Sequence, residues 1–117
     1  MSRTVLIVDD HAPFRERARA LLQADGYEVV GDAADGEAAV EAAHRLAPQV
    51  VLLDVRLPGI DGFEVAERLS DGPDPPVVVL ISSRAVSTYR HRLQDSSARG
   101  FIAKAELSGE RLSSLLA

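Results

Sequence analysis

Residues 50–62 read Val50-Val51-Leu52-Leu53-Asp54-Val55-Arg56-Leu57-Pro58-Gly59-Ile60-Asp61-Gly62, and this stretch decides the fold. Its first four residues are apolar and two are β-branched, which is typical of a strand buried on both faces in the middle of a parallel sheet. Asp54 follows directly, at the carboxyl edge of the sheet, where open α/β folds bind ligands. The Pro-Gly and Asp-Gly pairs then predict a loop. We therefore expect Asp54 to be presented at this edge and not buried.

Composition indicates one soluble globular domain over residues 1–117, since 46% of the residues are hydrophobic and 26% are charged. The net charge of −5 argues against a nucleic-acid surface formed by this chain alone. The absence of cysteine excludes disulfides, thiolate metal sites and thiol nucleophiles. Residues 1–4 lead into a short strand-like run without a signal-peptide core or a membrane span. We expect a cytoplasmic protein that makes no membrane contact.

Short apolar runs alternate with amphipathic segments along the rest of the chain. Besides the central strand, the pattern predicts strands at residues 5–8, 27–31, 77–81 and 101–103, the second of them at a sheet edge. It predicts helices at residues 13–25, 36–46, 63–69, 84–97 and 110–116, of which the fourth is marginal. Asp35 is the expected N-cap of the second helix. Five such units predict an α/β fold with a parallel sheet between two helical layers.

Polar side chains follow four of the predicted strands, and parallel strands bring their carboxyl ends to one rim. That rim would hold Asp9, Asp10, Asp54, Ser82 and Lys104. Neighbouring carboxylates repel, so either some are protonated or a cation lies among them. A site of oxygen ligands favours Mg²⁺ or Mn²⁺ over Zn²⁺. The lysine and the hydroxyl suggest a phosphoryl ligand, for which a carboxylate can act as nucleophile.

In this order along the chain, the acidic pair, the Asp54 stretch, Ser82 and Lys104 resemble the receiver domain of bacterial two-component response regulators. The resemblance implies a flavodoxin-like (βα)₅ fold, a doubly wound five-stranded parallel sheet with strand order 2-1-3-4-5. It implies a signalling switch rather than a conventional enzyme, with a sensor histidine kinase and a downstream effector domain or protein as partners. Homodimerisation stays open.

The same resemblance assigns the phosphoryl acceptor and the metal ligands. Asp54 would accept a phosphoryl group from a phosphohistidine on the kinase. Asp10, Asp54 and the backbone carbonyl of Arg56 would hold Mg²⁺, or Mn²⁺ in its place, while Asp9 would act mostly through water.

It also assigns the residues that would contact the phosphoryl group or respond to it. Ser82 and Lys104 would bind phosphoryl oxygens, and Phe101 would be the switch aromatic that turns inward as Ser82 moves. A simpler interpretation of Phe101 is a core residue. Arg56 and Arg84 lie two positions beyond the acceptor and the hydroxyl, and we expect them to set the lifetime of the phosphorylated state.

Several positions depart from the family pattern or leave alternatives open. Ala105 follows the lysine where the family commonly has proline. Ser83 competes with Ser82, Asp61 is a turn residue or helix cap, and His11 is the histidine that could touch the site. The final helix looks short, which favours a fragment of a longer protein with an output domain.

Two other functions compete with the switch. A degenerate receiver would bind partners without phosphorylation, although the complete set of site residues counts against it. A metal-dependent phosphohydrolase would usually carry a second acid two residues after the nucleophile, where this chain has Arg56. Dinucleotide and P-loop nucleotide binding are disfavoured, because no Gly-x-Gly-x-x-Gly or Gly-Lys-Ser/Thr motif follows the first strand.

Overall fold

A single sheet of parallel strands organises the computed structural model, which describes residues 3–117. The strands are β1 (Thr4–Val8), β2 (Glu28–Ala33), β3 (Val50–Asp54), β4 (Val77–Ser82) and β5 (Gly100–Ala103). Their order in the sheet is β2-β1-β3-β4-β5, and each neighbouring pair is parallel. The predicted flavodoxin-like order is therefore confirmed, with β2 at an edge as expected.

Four helices connect consecutive strands, a fifth follows β5, and together they cover both faces of this sheet. They are α1 (Ala12–Ala24), α2 (Gly36–Leu46), α3 (Gly62–Ser70), α4 (Arg90–Gln94) and α5 (Gly109–Leu116), with short 3₁₀ turns at Val86–Tyr89 and Lys104–Glu106. No helix in residues 3–117 combines the length and the apolar character needed to span a bilayer. Predictions that involve Met1 and Ser2, including the start of the domain and the absence of a signal peptide, lie outside the described residues.

Alternate side chains of the central strands enter two separate cores, one on each face of the sheet. Leu52 packs with α1 and α5, whereas its neighbour Leu53 packs with α2 and α3. Both are fully buried, as are the other apolar residues of β3. Burial on both faces explains why this strand lacks the polar alternation of a half-exposed strand.

Aspartates begin two of the helices, as the sequence suggested. The side chain of Asp35 accepts a hydrogen bond from the backbone N–H of Ala38 at 2.8 Å, so the predicted N-cap of α2 is confirmed. Asp61 caps α3 in the same way through the N–H of Glu64 at 3.0 Å, which selects the helix-cap interpretation of this residue.

The predicted helix over residues 84–97 is wrong in extent. The structure has the 3₁₀ turn Val86–Tyr89 followed by the five-residue helix α4. None of these residues is fully buried, which explains the weak apolar periodicity of the segment. The 3₁₀ turn and α4 are therefore attached to the rest of the domain by individual side-chain contacts, and not by a continuous apolar face.

Candidate functional site

The carboxyl edge of the sheet carries two buried carboxylates. Asp9 follows β1 and is 0% exposed, and Asp54 ends β3 and is 4% exposed, while Asp10 lies on the surface. The expectation that Asp54 is presented and not buried is therefore wrong. The loop after β3 folds back over the strand end, because the N–H of Gly62 donates to the carbonyl of Val55 at 2.8 Å.

Lys104 closes the site from the end of β5. Its ammonium nitrogen lies 2.6 Å from Asp9 Oδ2 and 3.2 Å from Asp54 Oδ2, and it also lies 4.7 Å from the centre of the Phe14 ring. Its side chain is only 16% exposed, so it is not an ordinary surface charge. Lys104 is the only lysine in the sequence. The structure thus brings together charged residues from three strand ends, as the parallel sheet predicted.

The two carboxylates are not fully neutralised by this single ammonium. Burial raises the pKa of Asp54, and the nearby charge of Asp9 adds to the increase, although the N–H of Arg56 and the ammonium of Lys104 oppose it. Burial would lower the pKa of Lys104, but its contacts with Asp9 and Asp54 outweigh that effect and raise it. The site therefore retains an excess of negative charge that a further cation would relieve.

The chemistry of the donor atoms fits a divalent ion. Asp9 Oδ1 accepts the backbone N–H of His11 at 2.8 Å. Asp9 Oδ2 is buried and lies 2.6 Å from the Lys104 ammonium, with which it forms an ion pair. This contact leaves Asp9 Oδ2 paired with a cation that also contacts Asp54. Buried and exposed carboxylate oxygens at one edge are the ligands that Mg²⁺ prefers.

The metal ligands that the resemblance implies are only partly grouped. One ligand atom each from Asp9, Asp10 and His11 lies within 4.8 Å of the others. Asp54 instead contacts Lys104, and its Oδ1 accepts the N–H of Arg56 at 3.2 Å. The carbonyl of Arg56 stays a predicted ligand. His11, which the sequence marked as the histidine that could touch the site, is indeed beside the acidic pair.

Ser82 supplies the hydroxyl at the end of β4. It is 1% exposed, its Oγ accepts the backbone N–H of Arg84 at 3.0 Å, and it pairs in register with Ala103, next to Lys104. Ser83 is exposed. The position of Ser82 in the sheet, one residue from the lysine across the β4–β5 ladder, favours it over Ser83 as the hydroxyl of the site.

A row of aromatic rings lies beside the site on the side of α4. Phe101 is half-buried and its ring lies 6.3 Å from that of Tyr89, which lies 6.0 Å from that of Phe63. The simple core interpretation of Phe101 is therefore incomplete, because the ring is partly open to solvent. The contact of Phe101 with Tyr89 in the 3₁₀ turn is compatible with a switch role, which stays a prediction.

Arg92 is the residue of this region that the sequence reasoning missed. Its guanidinium lies 2.8 Å from Asp61 Oδ2 and 4.2 Å from the centre of the Phe63 ring, so it fastens α4 to α3. Burial would raise the pKa of Asp61, but hydrogen bonds from Arg92 and from the N–H of Glu64 outweigh it and lower the pKa. One indirect signal for Arg92 was present in the sequence, the predicted cap at Asp61, which is its partner in the structure.

An open cleft of about 620 Å³ adjoins the acidic edge. Arg56 and Arg84, predicted as modulating residues, both line it, together with Asp10, Tyr89 and Arg92. Both predicted arginines are exposed. The cleft thus offers guanidinium groups to an anion that approaches the carboxylates.

Comparison with known proteins gives a consistent set of relatives. A family model described as the response regulator receiver domain matches residues 5–116. The signal receiver domain of a Mycobacterium tuberculosis protein named NarL is 36% identical, with a TM-score of 0.83 and coverage of 99% of this chain and 98% of that one. The response regulator domain of Thermotoga maritima CheB is 25% identical, with a TM-score of 0.85 and coverage of 99% and 95%.

Among curated relatives, the transcriptional regulatory protein PdtaR of Mycobacterium tuberculosis is 35% identical over 102 residues. The match covers 87% of this chain and 49% of that protein. The chain spans about half the length of the first curated relatives that it matches.

Proposed function

Because the chain belongs to the family of response regulator receiver domains, we propose that it is a phosphorylation-activated switch of a two-component system. Asp54 would accept the phosphoryl group of a phosphohistidine on a sensor histidine kinase. The observation that carries the proposal is the position of the Lys104 ammonium between the buried carboxylates of Asp9 and Asp54. A nucleophile held next to a cation and an acidic metal site suits phosphoryl transfer, which depends mainly on positioning and charge stabilisation.

In the transfer step, an oxygen of Asp54 forms a bond to phosphorus as the phosphorus–nitrogen bond of the phosphohistidine breaks. The leaving imidazole keeps the electron pair of that bond and takes up a proton from water. Asp10, Asp54 and the carbonyl of Arg56, with Asp9 acting mostly through water, would hold Mg²⁺ or Mn²⁺, which would neutralise charge on the phosphoryl oxygens when bound. The chain's own contribution is to hold the carboxylate still through the N–H of Arg56 and the ammonium of Lys104.

The phosphorylated state would be read out through the neighbouring strands. A phosphoryl group adds about 1.5 to 2 negative charges at neutral pH. Lys104 and the hydroxyl of Ser82 are the groups placed to follow that charge, and Phe101 would repack against Tyr89 as Ser82 moves. The altered surface would bind a downstream effector domain, an effector protein or a second copy of the chain, in the cytoplasm.

Intact mass after incubation with Mg²⁺ and acetyl phosphate tests the acceptor. We expect one phosphoryl adduct on the wild type and on Asp74→Ala, a control in an exposed loop, and none on Asp54→Ala. Turnover of acetyl phosphate without an adduct would favour the phosphohydrolase. An adduct on none of the proteins, with no turnover, would favour the degenerate receiver.

The arginines of the cleft are tested by the decay of the adduct. We expect Arg56→Ala and Arg84→Ala to change the lifetime of phosphorylated Asp54, since both arginines line the cleft that adjoins the acidic edge. Arg45→Ala, on α2, is the matched control and should decay as the wild type does. Wild-type lifetimes in both test variants would refute this part of the proposal.

A further inference from the structure

We propose that Arg15 is a positioning residue of the acidic edge: its guanidinium fixes the peptide between Asp9 and Asp10 and so sets the direction of the Asp10 carboxylate. The inference deepens the proposed function and rests on it, because it says how this chain prepares the carboxylates that phosphoryl transfer would use. Arg15 acts through the backbone and contacts neither carboxylate. The receiver resemblance drawn from the sequence assigns it no role.

The backbone carbonyl of Asp9 is held by the side chain of Arg15. Nη1 of the guanidinium donates to this oxygen at 2.6 Å. A charged donor makes such a hydrogen bond stronger than one between neutral groups. The arginine side chain is only 18% exposed, so water competes weakly for the same oxygen. The contact is therefore a firm attachment between α1 and the end of β1.

The other polar atoms of Asp9 are fixed by different partners. Its N–H donates to the carbonyl of Ala33 at 3.0 Å, which extends the ladder between β1 and β2. Its Oδ1 accepts the N–H of His11 at 2.8 Å, and its Oδ2 lies 2.6 Å from the ammonium of Lys104. Arg15 holds the remaining polar atom, the carbonyl oxygen. Its loss would free the side of Asp9 that leads into Asp10.

Peptide geometry carries this constraint to Asp10. A peptide unit is planar, so the carbonyl of Asp9 and the N–H of Asp10 lie in one plane. A fixed carbonyl therefore fixes the position from which the Asp10 side chain leaves the backbone. The Asp10 side chain is 37% exposed, whereas that of Asp9 is fully buried. Asp10 is thus the carboxylate that depends most on the backbone beneath it.

The guanidinium is aligned from its other side by an acidic residue of β2. Nε of Arg15 lies 3.8 Å from Asp32 Oδ2, and Nη2 of Arg19 lies 3.6 Å from the same oxygen. Arg19 also donates to the carbonyl of Val29 at 3.3 Å, one turn further along α1. Because Asp32 offsets the charge of Arg15, the arginine serves the acidic edge mainly as a hydrogen-bond donor and not as a competing cation.

Calorimetric titration of the full chain with MgCl₂ tests the inference. Arg15→Met keeps an apolar stem but removes the donor. Arg17→Met is the matched control, because Arg17 is exposed on the same helix, over the Phe14 ring. We expect the Kd for Mg²⁺ to rise about tenfold in Arg15→Met and to stay within about twofold of the wild type in the control. A purely structural arginine would lower the free energy of unfolding and leave the Kd of the folded protein unchanged, which would overturn the inference.

Amide hydrogen exchange in EDTA gives a readout that needs no metal. The N–H of His11, which bonds to Asp9, should exchange about tenfold faster in Arg15→Met, while the amides of β1 keep their wild-type rates. Equal acceleration at His11 and in β1 would indicate a general loss of stability and would overturn the inference. Wild-type exchange at His11 would overturn it as well.

A measurement on the wild type decides the question even where Arg15→Met does not fold. Addition of MgCl₂ should shift the Nε–H resonance of Arg15 together with the amide resonance of Asp10, and leave that of Arg17 in place. An Arg15 resonance that stays in place while Asp10 responds would refute the coupling. The proposed function is judged separately, by the wild-type adduct formed with acetyl phosphate. An adduct together with an unchanged Mg²⁺ affinity in Arg15→Met would refute only the role of Arg15.

Discussion

Replacing Lys104 by methionine should destabilise the fold, because it leaves two buried carboxylates without their shared counter-ion. At an effective dielectric constant of about 20, unit charges at the observed 2.6 Å and 3.2 Å attract by about 6 and about 5 kcal/mol. Desolvation of the ions offsets several kcal/mol of this, and breaking a buried pair typically costs about 3–5 kcal/mol. We expect about 3 kcal/mol, at the low end because the lysine is 16% exposed.

A double-mutant cycle separates this charge effect from lost packing of the lysine stem on Phe14. In the Asp9→Asn background only one carboxylate is left to pair with the ammonium, so Lys104→Met should lower the free energy of unfolding by only about 1 kcal/mol. The coupling between the two positions is then about 2 kcal/mol. Urea unfolding of the four proteins in EDTA, monitored by circular dichroism, measures it. A similar cost of Lys104→Met in both backgrounds would refute the counter-ion role.

Three further outcomes follow from contacts at the same edge. Because the pKa of Asp54 is raised in the folded protein, ionisation of this carboxyl disfavours the folded state once the pH rises through the raised pKa. Asp54→Asn should therefore be more stable than the wild type at pH 7 in EDTA and should lose that advantage near pH 3.8. Thermal unfolding of both proteins at the two pH values checks this. Asp61→Ala should lower the free energy of unfolding in urea by about 1 kcal/mol, because it removes the cap of α3, whereas Asp61→Asn keeps a capping oxygen. Because the pKa of Asp61 is lowered in the folded protein, the difference in unfolding free energy between the wild type and Asp61→Asn should fade only as the pH falls below 3.8. Gly62→Ala should lower the free energy of unfolding by about 1–3 kcal/mol, because the added Cβ would overlap the carbonyl of Asp54. Gly72→Ala, where the Cβ would meet open space, is the control and should stay within about 0.5 kcal/mol of the wild type in the same measurement.

The fold could be predicted because its strands are buried on both faces. The run Val50–Leu53 has no polar residue, so a parallel central strand was the simplest interpretation, and the helices between such strands follow from crossover geometry. The capping aspartates marked helix starts for a local reason, since the side chain bonds to a backbone N–H three residues later.

The burial of Asp54 could not be predicted in this way. A charge after an apolar run indicates the end of a strand, but the sequence does not show that the next loop folds back or that Lys104 covers the carboxylate. The extent of α4 was missed for a related reason. It is fastened by Arg92 to Asp61 and Phe63, and such tertiary contacts leave no periodic signal along the chain.

The contact between Asp54 and Lys104 joins positions that are 50 residues apart. During translation Asp54 is made at the end of β3, whereas Lys104 is made only after β5 is complete. Unfinished copies, or copies cleaved before Lys104, would therefore leave the carboxylates of Asp9 and Asp54 without their counter-ion. The charge balance of this edge can therefore be reached only once β5 and Lys104 have been made.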